Sequence, residues 1–424
     1  MLKGGAISQM LLRLNSDGFD PRELGAERAR RFPVGATVRL QDLDKDPYPI
    51  LRRLQHQEPI SWIPEVDMWF VTRRADINTI LKDAETFTTH SPASPILDTF
   101  GPQMLSTDGA LRQKYKSQCV PPFTATAVRG KPAGWIEQHA NELVDRFEAK
   151  GAVDLRPSFA MLLSVQTITR ILGLPEESAS QIRLWYDDFA AALANFDRDP
   201  HIRYRGHAAA EEFRMHVRQL FPRFKRKLDE SLLSELLGEG GSRLSEQEIL
   251  SNALIILFGG IETTESLILN AVWALLSHQE QLQEVLANPA LIPAVIEESL
   301  RWEPAVQSCT RFVTRSVTFC GVELHGGDAV QCMLGAANRD PAWISQPDSF
   351  DIHRPRAAEH LSFGAGPHFC LGAPLARLEG EICLRILLQR LPGLTLDPVH
   401  PSAPCGYEFR KPPELYLRWG ARKK

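Results

Sequence analysis

A glycine-rich loop that brings one cysteine to the start of a helix constrains this chain most. The loop lies within residues 360–379. Gly364, Gly366 and Gly372 around Cys370 let main-chain N–H groups turn toward the sulfur and let a large flat ligand approach closely. The positive end of the following helix favours the thiolate, which is the form of cysteine that binds iron. The sequence therefore predicts a metal-ligating thiolate at Cys370.

The pattern of cysteines narrows the chemistry of Cys370. A lone cysteine is most often a small buried hydrophobe, and from this residue alone that role stays open. The chain has seven cysteines and no C-x-x-C pair. The ligand spacing of a zinc site and the attachment motif of a c-type haem are therefore both missing from the sequence.

A long helix with two glycines at its centre is the second informative feature. Ser245–Glu248 has the S-x-x-E form of a capping box, which predicts the start of a helix. The segment Ala253–Ile261 is apolar on all sides, as is typical of a helix through the middle of a protein. Gly259 and Gly260 then cost up to about 1 kcal/mol each relative to alanine. They predict close approach of a flat ligand, and Glu262–Thr264 predicts a local opening of the helix hydrogen bonds.

Together, the loop and the helix resemble the motifs of the cytochrome P450 family. Phe363, Gly366, His368, Cys370 and Gly372 match the aromatic residue, glycine, basic residue, axial cysteine and glycine of its haem-binding signature. The resemblance implies the cytochrome P450 fold, which is mainly α with small β-sheets. It also implies a single large domain with haem b between the long central helix and the cysteine loop.

The resemblance assigns roles to the centre of the long helix. Gly259 and Gly260 would lie against the cofactor, Glu262 would be the acid and Thr263 the alcohol that relay protons for oxygen activation. The residues themselves leave alternatives open. Glu262 also fits a solvated acid on a helix, and Thr263 also fits a hydroxyl bonded to its own helix.

An E-x-x-R motif lies between the long helix and the cysteine loop. Glu298 and Arg301 are three residues apart, so both charges fall on one helix face. Such pairs are common, and only the position of this one makes it specific. The resemblance implies that they pair in the core with Arg354 and serve structure and haem retention.

Basic residues are expected around a cofactor that carries two propionates. The resemblance assigns Arg311 and His368 to this role. Arg112 and Lys116 stand where the family usually has histidine and arginine, so charge is kept, but Lys116 lacks the bidentate geometry of arginine. A solvated basic helix face remains an alternative for Arg112 and Lys116.

The side chains expected to line the substrate pocket are mainly apolar. They are Phe100, Leu105, Ile255, Phe258, Val306, Gln307 and Phe409. Such a wall favours a small to medium hydrophobic or aromatic substrate. Plain core packing accounts equally well for each of these residues.

Length and composition limit the possible domain organisation, partners and location of the protein. No Gly/Ser-rich linker or repeat divides the 424 residues, so we expect an N-terminal extension over 1–45 and one haem-binding domain over 46–424. The net charge of −4 with dispersed basic residues indicates no nucleic-acid partner. The unpaired cysteines, the lack of an adequate leader and the lack of an apolar run of about 20 residues predict a cytoplasmic protein with no membrane partner.

The resemblance implies a monooxygenase that inserts one atom of O2 into its substrate by hydroxylation, O-dealkylation or epoxidation. The sequence has no iron–sulfur cysteine pattern and no G-x-G-x-x-G fingerprint. We therefore expect electrons from an external ferredoxin or flavodoxin with its NAD(P)H reductase, or from a fused reductase absent from this chain. Two alternatives stay open: a peroxide-driven haem-thiolate peroxygenase or isomerase, and a non-enzymatic haem sensor.

Overall fold

The computed structural model describes residues 21–195, 199–226, 230–238 and 243–420. Helices form most of it, and they are α1 Pro21–Arg31, α2 Leu40–Lys45, α3 Tyr48–Gln57, α4 Arg74–Lys82, α5 Pro95–Phe100, α6 Gly109–Cys119, α7 Ala125–Arg129, α8 Lys131–Asp145, α9 Met161–Leu172, α10 Ala179–Leu193, α11 Pro200–Arg226, α12 Leu232–Leu237, α13 Glu246–Ser277, α14 Gln279–Ala287, α15 Ile292–Trp302, α16 Leu334–Asn338 and α17 Ala373–Arg390. The strands are short, and they are β1 Ile60–Ile63, β2 Met68–Val71, β3 Phe87–Thr88, β4 Ala152–Asp154, β5 Ser308–Val313, β6 Val317–Phe319, β7 Val322–Leu324, β8 Ala329–Met333, β9 Thr395–Leu396 and β10 Tyr416–Arg418. This confirms the predicted class, mainly α with small sheets.

The largest sheet has five strands in the order β1-β2-β8-β5-β3. Strands β2 and β8 are parallel, and the other neighbours are antiparallel. Helix α1 packs on this sheet, because Arg28 forms an ion pair of 2.7 Å with Asp328 and Phe32 lies edge-on against Trp69. Residues 21–45 thus contact the body, while residues 1–20 lie outside the described ranges. The domain division at residue 45 stays a prediction.

Helix α13 crosses the centre of the protein. Its capping box forms as predicted: the Glu248 N–H donates to the Ser245 hydroxyl at 3.3 Å, and the Ser245 N–H donates to the Glu248 carboxylate at 2.7 Å. By length and composition this helix is apolar enough to cross a membrane, contrary to our expectation that the sequence has no such run. Its most apolar stretch is 72% buried in the protein, as in the core helix of a globular fold.

The predicted opening of α13 after its glycines is absent. The helix continues without a break from Glu246 to Ser277. Around its centre, however, Gly259 is exposed and Thr263 is only partly buried, whereas the residues on either side of this stretch are buried. Helix α13 packs against both α9 and α17, which fixes this stretch relative to the cysteine loop.

A buried carboxyl group on α17 gives a pH-dependent prediction. Burial raises the pKa of Glu379 from 4.5 to about 8, against the lowering effect of a hydrogen bond with Thr167. The folded protein therefore holds a proton that the unfolded chain releases, so stability falls as the pH rises from about 4.5 to about 8. Glu379→Gln should remove this part of the decline in the free energy of unfolding. Urea unfolding at several pH values across that range measures it. Exposed Glu414→Gln is the control, and an unchanged profile in Glu379→Gln would contradict the prediction.

Candidate active site

The cysteine loop owes its shape to two glycines. Gly364 and Gly366 have φ values of +70° and +67°, in the region that side chains disfavour. A Cβ at Gly366 would lie 2.6 Å from the carbonyl oxygen of Leu81, so no larger residue fits. The Cys370 N–H donates to the Phe363 carbonyl at 2.9 Å and closes the loop. These contacts fix the position of the Cys370 backbone, and with it the point from which the sulfur extends.

Positive groups surround the sulfur of Cys370. The main-chain N–H groups of Gly372 and Ala373 hydrogen-bond to it, and the charges of Lys116 and Arg377 act on it. Cys370 is exposed as a residue, but protein atoms around its sulfur remove water from it, and this burial raises the pKa of the thiol above its ordinary value against the lowering effect of these groups. The N–H groups at the start of α17 act in the expected direction, because their hydrogen bonds lower the pKa of the thiol. Lys116 Nζ also donates a hydrogen bond of 3.0 Å to the carbonyl of Phe369, the residue before Cys370. This contact holds the lysine against the loop.

A second cluster joins α6, β5 and the cysteine loop. Arg112 Nε donates to His368 Nδ1 at 3.1 Å, so His368 Nε2 carries the proton that it donates to Asp108 at 2.7 Å. Burial lowers the pKa of His368, in keeping with a neutral ring. Although burial acts in the opposite sense, hydrogen bonds from His368 and Thr88 hold the pKa of Asp108 well below its usual range. Arg311 is buried nearby, and its charge acts on Arg112.

The two glycines of α13 serve different purposes. A Cβ at Gly259 would meet no atom within 4 Å, so this position leaves room for a flat group. A Cβ at Gly260 would lie 2.6 Å from the side chain of Ile168, so Gly260 is needed for the packing of α9. Helix packing is thus one reason for a glycine at position 260, and the cofactor contact expected there stays a prediction. The Thr263 hydroxyl donates to the Gly259 carbonyl at 2.7 Å, which is the helix-bonded arrangement left open by the sequence.

Glu262 is held from two sides by residues that sequence reasoning missed. Its Oε1 pairs with the ammonium of Lys411, and its Oε2 accepts a hydrogen bond of 2.8 Å from the Tyr186 hydroxyl. Lys411 is 149 residues away along the chain and Tyr186 is 76 residues away. No local motif links either of them to Glu262. The solvated acid left open by the sequence is not what the structure has.

The E-x-x-R motif forms a buried network. Glu298 and Arg301 are joined by hydrogen bonds of 2.7 and 2.8 Å, and Arg354 Nε donates to the same carboxylate at 3.0 Å. Glu298 and Arg301 are completely buried, and Arg354 nearly so. The remaining guanidinium N–H groups donate to loop carbonyls, including that of Ser349. One carboxylate therefore serves two arginines.

An aromatic cluster lies on the side of α13 that faces α10. Phe258 has ring-centroid distances of 5.8 Å to Phe100, 5.5 Å to Tyr186 and 5.8 Å to Phe409. Phe100 also meets Phe189 edge-on at 5.2 Å. Three of these five rings were predicted pocket residues. Tyr186 and Phe189 were missed, although their i, i+3 spacing on a buried helix face was a usable signal.

The other predicted pocket residues divide into two groups. Ile255 is buried on α13, and Val306 pairs through its backbone with Phe409 beside the cluster. Leu105 is 37% exposed and does not belong to the cluster. Gln307 is fully buried, but its amide donates to a main-chain carbonyl of the turn before β5 at 2.9 Å. Leu105 and Gln307 thus lie apart from the aromatic cluster, and their place in a substrate pocket stays a prediction.

Comparison with known proteins identifies the family. A profile of the family "Cytochrome P450" matches residues 200–401. The chain is 33% identical to "Biotin biosynthesis cytochrome P450" of Bacillus subtilis, over 86% of this chain and 93% of that protein. It is 36% identical to "Cytochrome P450 monooxygenase PikC" of Streptomyces venezuelae, over 89% and 92%. The crystal structure of P450BioI in complex with a hexadec-9Z-enoic acid-ligated acyl carrier protein superposes with a TM-score of 0.83 at 31% identity, covering 90% of this chain and 100% of that one.

The chain belongs to the cytochrome P450 family. It is a monooxygenase, an oxidoreductase that incorporates oxygen from O2 with electrons from a redox partner, and its cofactor is haem b. The residues present fit that group: Cys370 would supply the sulfur ligand, Gly259 would leave space for it on α13, and two buried arginines, Arg112 and Arg311, would provide charge for two propionates. When bound, the haem supplies the redox chemistry that activates oxygen.

Proposed function

We propose that the enzyme inserts one oxygen atom into a small to medium hydrophobic or aromatic compound, by hydroxylation, O-dealkylation or epoxidation. The aromatic cluster between α10 and α13 is the observation that carries this proposal, because five rings offer apolar contacts and few polar ones. The related P450BioI structure is a complex with an acyl carrier protein that carries hexadec-9Z-enoic acid, and an apolar wall of this kind also suits a fatty acyl chain.

Substrate binding can be measured through the shift of the haem absorption band. We expect shifts with apolar aromatic and aliphatic compounds and none with large polar ones. Phe258→Ala should weaken the binding of a responding compound about tenfold to a hundredfold, since a buried aromatic side chain contributes about 1.5–3 kcal/mol. Tyr204→Ala, at a position 74% exposed on α11, is the control. Responses only to large polar ligands would overturn the proposal.

We propose that Cys370 is the axial ligand and that Arg112, Arg311 and His368 bind the propionates. Phe363, Gly366 and Gly372 shape the loop in this proposal, and Lys116 supports it. The proposed electron donor is an external ferredoxin or flavodoxin with an NAD(P)H reductase, or a fused reductase, and the proposed location is the cytoplasm. Turnover reconstituted with each class of donor would identify the partner.

We propose that Glu262 and Thr263 relay protons to the oxygen-binding side of α13. The Thr263 hydroxyl donates to the carbonyl of Gly259, so it lies close to the residue whose side-chain position is open. Thr263→Ala should consume electrons while forming about tenfold less product per electron pair, because general acid–base groups contribute about a hundredfold or more. Buried Thr264→Ala, one residue further along the helix, is the matched control. Unchanged coupling in Thr263→Ala would count against the relay and favour the peroxide-driven alternative.

A further inference from the structure

A buried ammonium group touches the proposed relay acid. Lys411 is 7% exposed, and its Nζ pairs with Glu262 and lies 3.2 Å from Glu265 Oε1. Glu265 is paired in turn with Arg156 at 2.6 Å. Glu262 and Glu265 are three residues apart on one helix face, so without a cation between them their like charges would repel. Lys411 is that cation.

The backbone holds Lys411 in place. Its N–H and C=O both bond to Cys405, at 3.1 and 3.0 Å, in a narrow turn of the C-terminal segment. The neighbouring Arg410 turns the other way and pairs with Glu303 at 2.7 Å. Lys411 therefore approaches α13 from a fixed point, which restricts where its ammonium can lie.

The other partner of Glu262 comes from a different element. Tyr186 is on α10, and burial, followed by the charge of Glu262, raises its pKa well above 10. The phenol thus stays protonated and donates to Glu262 Oε2 at 2.8 Å. The two carboxylate oxygens are taken by two different donors. This fixes the rotation of the carboxylate.

We propose that Lys411 is the positioning residue of Glu262: it keeps the carboxylate ionised and oriented beside the open position of α13. This inference rests on the proposed relay role of Glu262. Loss of the ammonium leaves Glu262 next to Glu265 with one hydrogen-bond donor, the Tyr186 phenol, and with Arg156, which is paired with Glu265, as the remaining positive charge that acts on it. That surrounding favours the protonated carboxyl group and releases one oxygen from its contact.

The first test observes the carboxyl group directly. Infrared spectra of the substrate-free holoenzyme at neutral pH should show a protonated-carboxyl band in Lys411→Met that is lost in the double variant Lys411→Met/Glu262→Gln. Lys411→Arg keeps the charge and should lack the band. Lys131→Met, which removes the lysine of an exposed ion pair with Glu230, is the matched control. No Glu262-dependent band in Lys411→Met would overturn the inference.

The second test separates this inference from the relay itself. Lys411→Met and Glu262→Gln should each lower product formed per electron pair about tenfold, and the double variant should be no worse than Glu262→Gln. If Glu262→Gln leaves coupling unchanged, the proposed relay fails. If Glu262→Gln uncouples the enzyme and Lys411→Met does not, the relay stands and the role of Lys411 is wrong. Should Lys411→Met not fold, Lys411→Gln and Lys411→Arg supply the same comparison.

Discussion

Cys370→Ala is expected to lose the strongly red-shifted Soret band that the reduced, CO-treated protein shows, and with it all monooxygenase activity. The reason is the electronic effect of the sulfur ligand on the iron. A thiolate donates electron density to iron in a way that a neutral ligand cannot, and the other loop contacts remain in the variant. The measurement is the CO difference spectrum of the purified protein, beside the haem content of the same sample.

Two other cysteines provide the controls for this experiment. Cys383 is buried on α17, the helix that the loop leads into, and Cys119 is buried at the end of α6. Cys383→Ala and Cys119→Ala should keep the red-shifted band. A band retained in Cys370→Ala would contradict the assignment of the axial ligand and return Cys370 to a structural role.

The local features of this fold could be predicted from the sequence because short-range chemistry determines them. The capping box at Ser245 requires only residues three apart, and the apolar run after it requires only the helical period. The Glu298–Arg301 contact follows from i, i+3 spacing in the same way. The position of Arg354 was implied by resemblance to the family and not by any property of its own segment.

The contacts that were missed join distant segments. Nothing near Lys411 or Tyr186 in the sequence indicates that they meet Glu262, since the contact depends on how α10 and the C-terminal turn pack on α13. The sequence indicated a ligand contact at Gly260 but not its close packing against Ile168 on a neighbouring helix. Such packing constraints leave no periodic signal in the chain.

Glu298→Gln is expected to cost about 5 kcal/mol of unfolding free energy, at the upper end of the effect of breaking a buried ion pair. Glu298 is the shared carboxylate of two buried guanidinium groups, at 2.7 Å from Arg301 and 3.0 Å from Arg354. The neutral amide leaves both positive charges close together, and their repulsion is already felt because the charge of Arg354 lowers the pKa of Arg301, after the larger effect of burial. Urea unfolding followed by circular dichroism gives the free energy.

Comparison with Arg301→Met tests whether uncompensated charge, and not lost packing, causes the loss of stability in Glu298→Gln. That variant removes more side-chain volume but leaves the carboxylate paired with Arg354, so it should cost less, about 3 kcal/mol. Arg356→Met, which breaks an exposed pair with Glu359, should cost much less than either buried variant, because solvent screens exposed ion pairs. Equal losses in Glu298→Gln and Arg301→Met would contradict the shared-carboxylate account. Haem loss to a scavenger protein should follow the same order if this network also retains the cofactor.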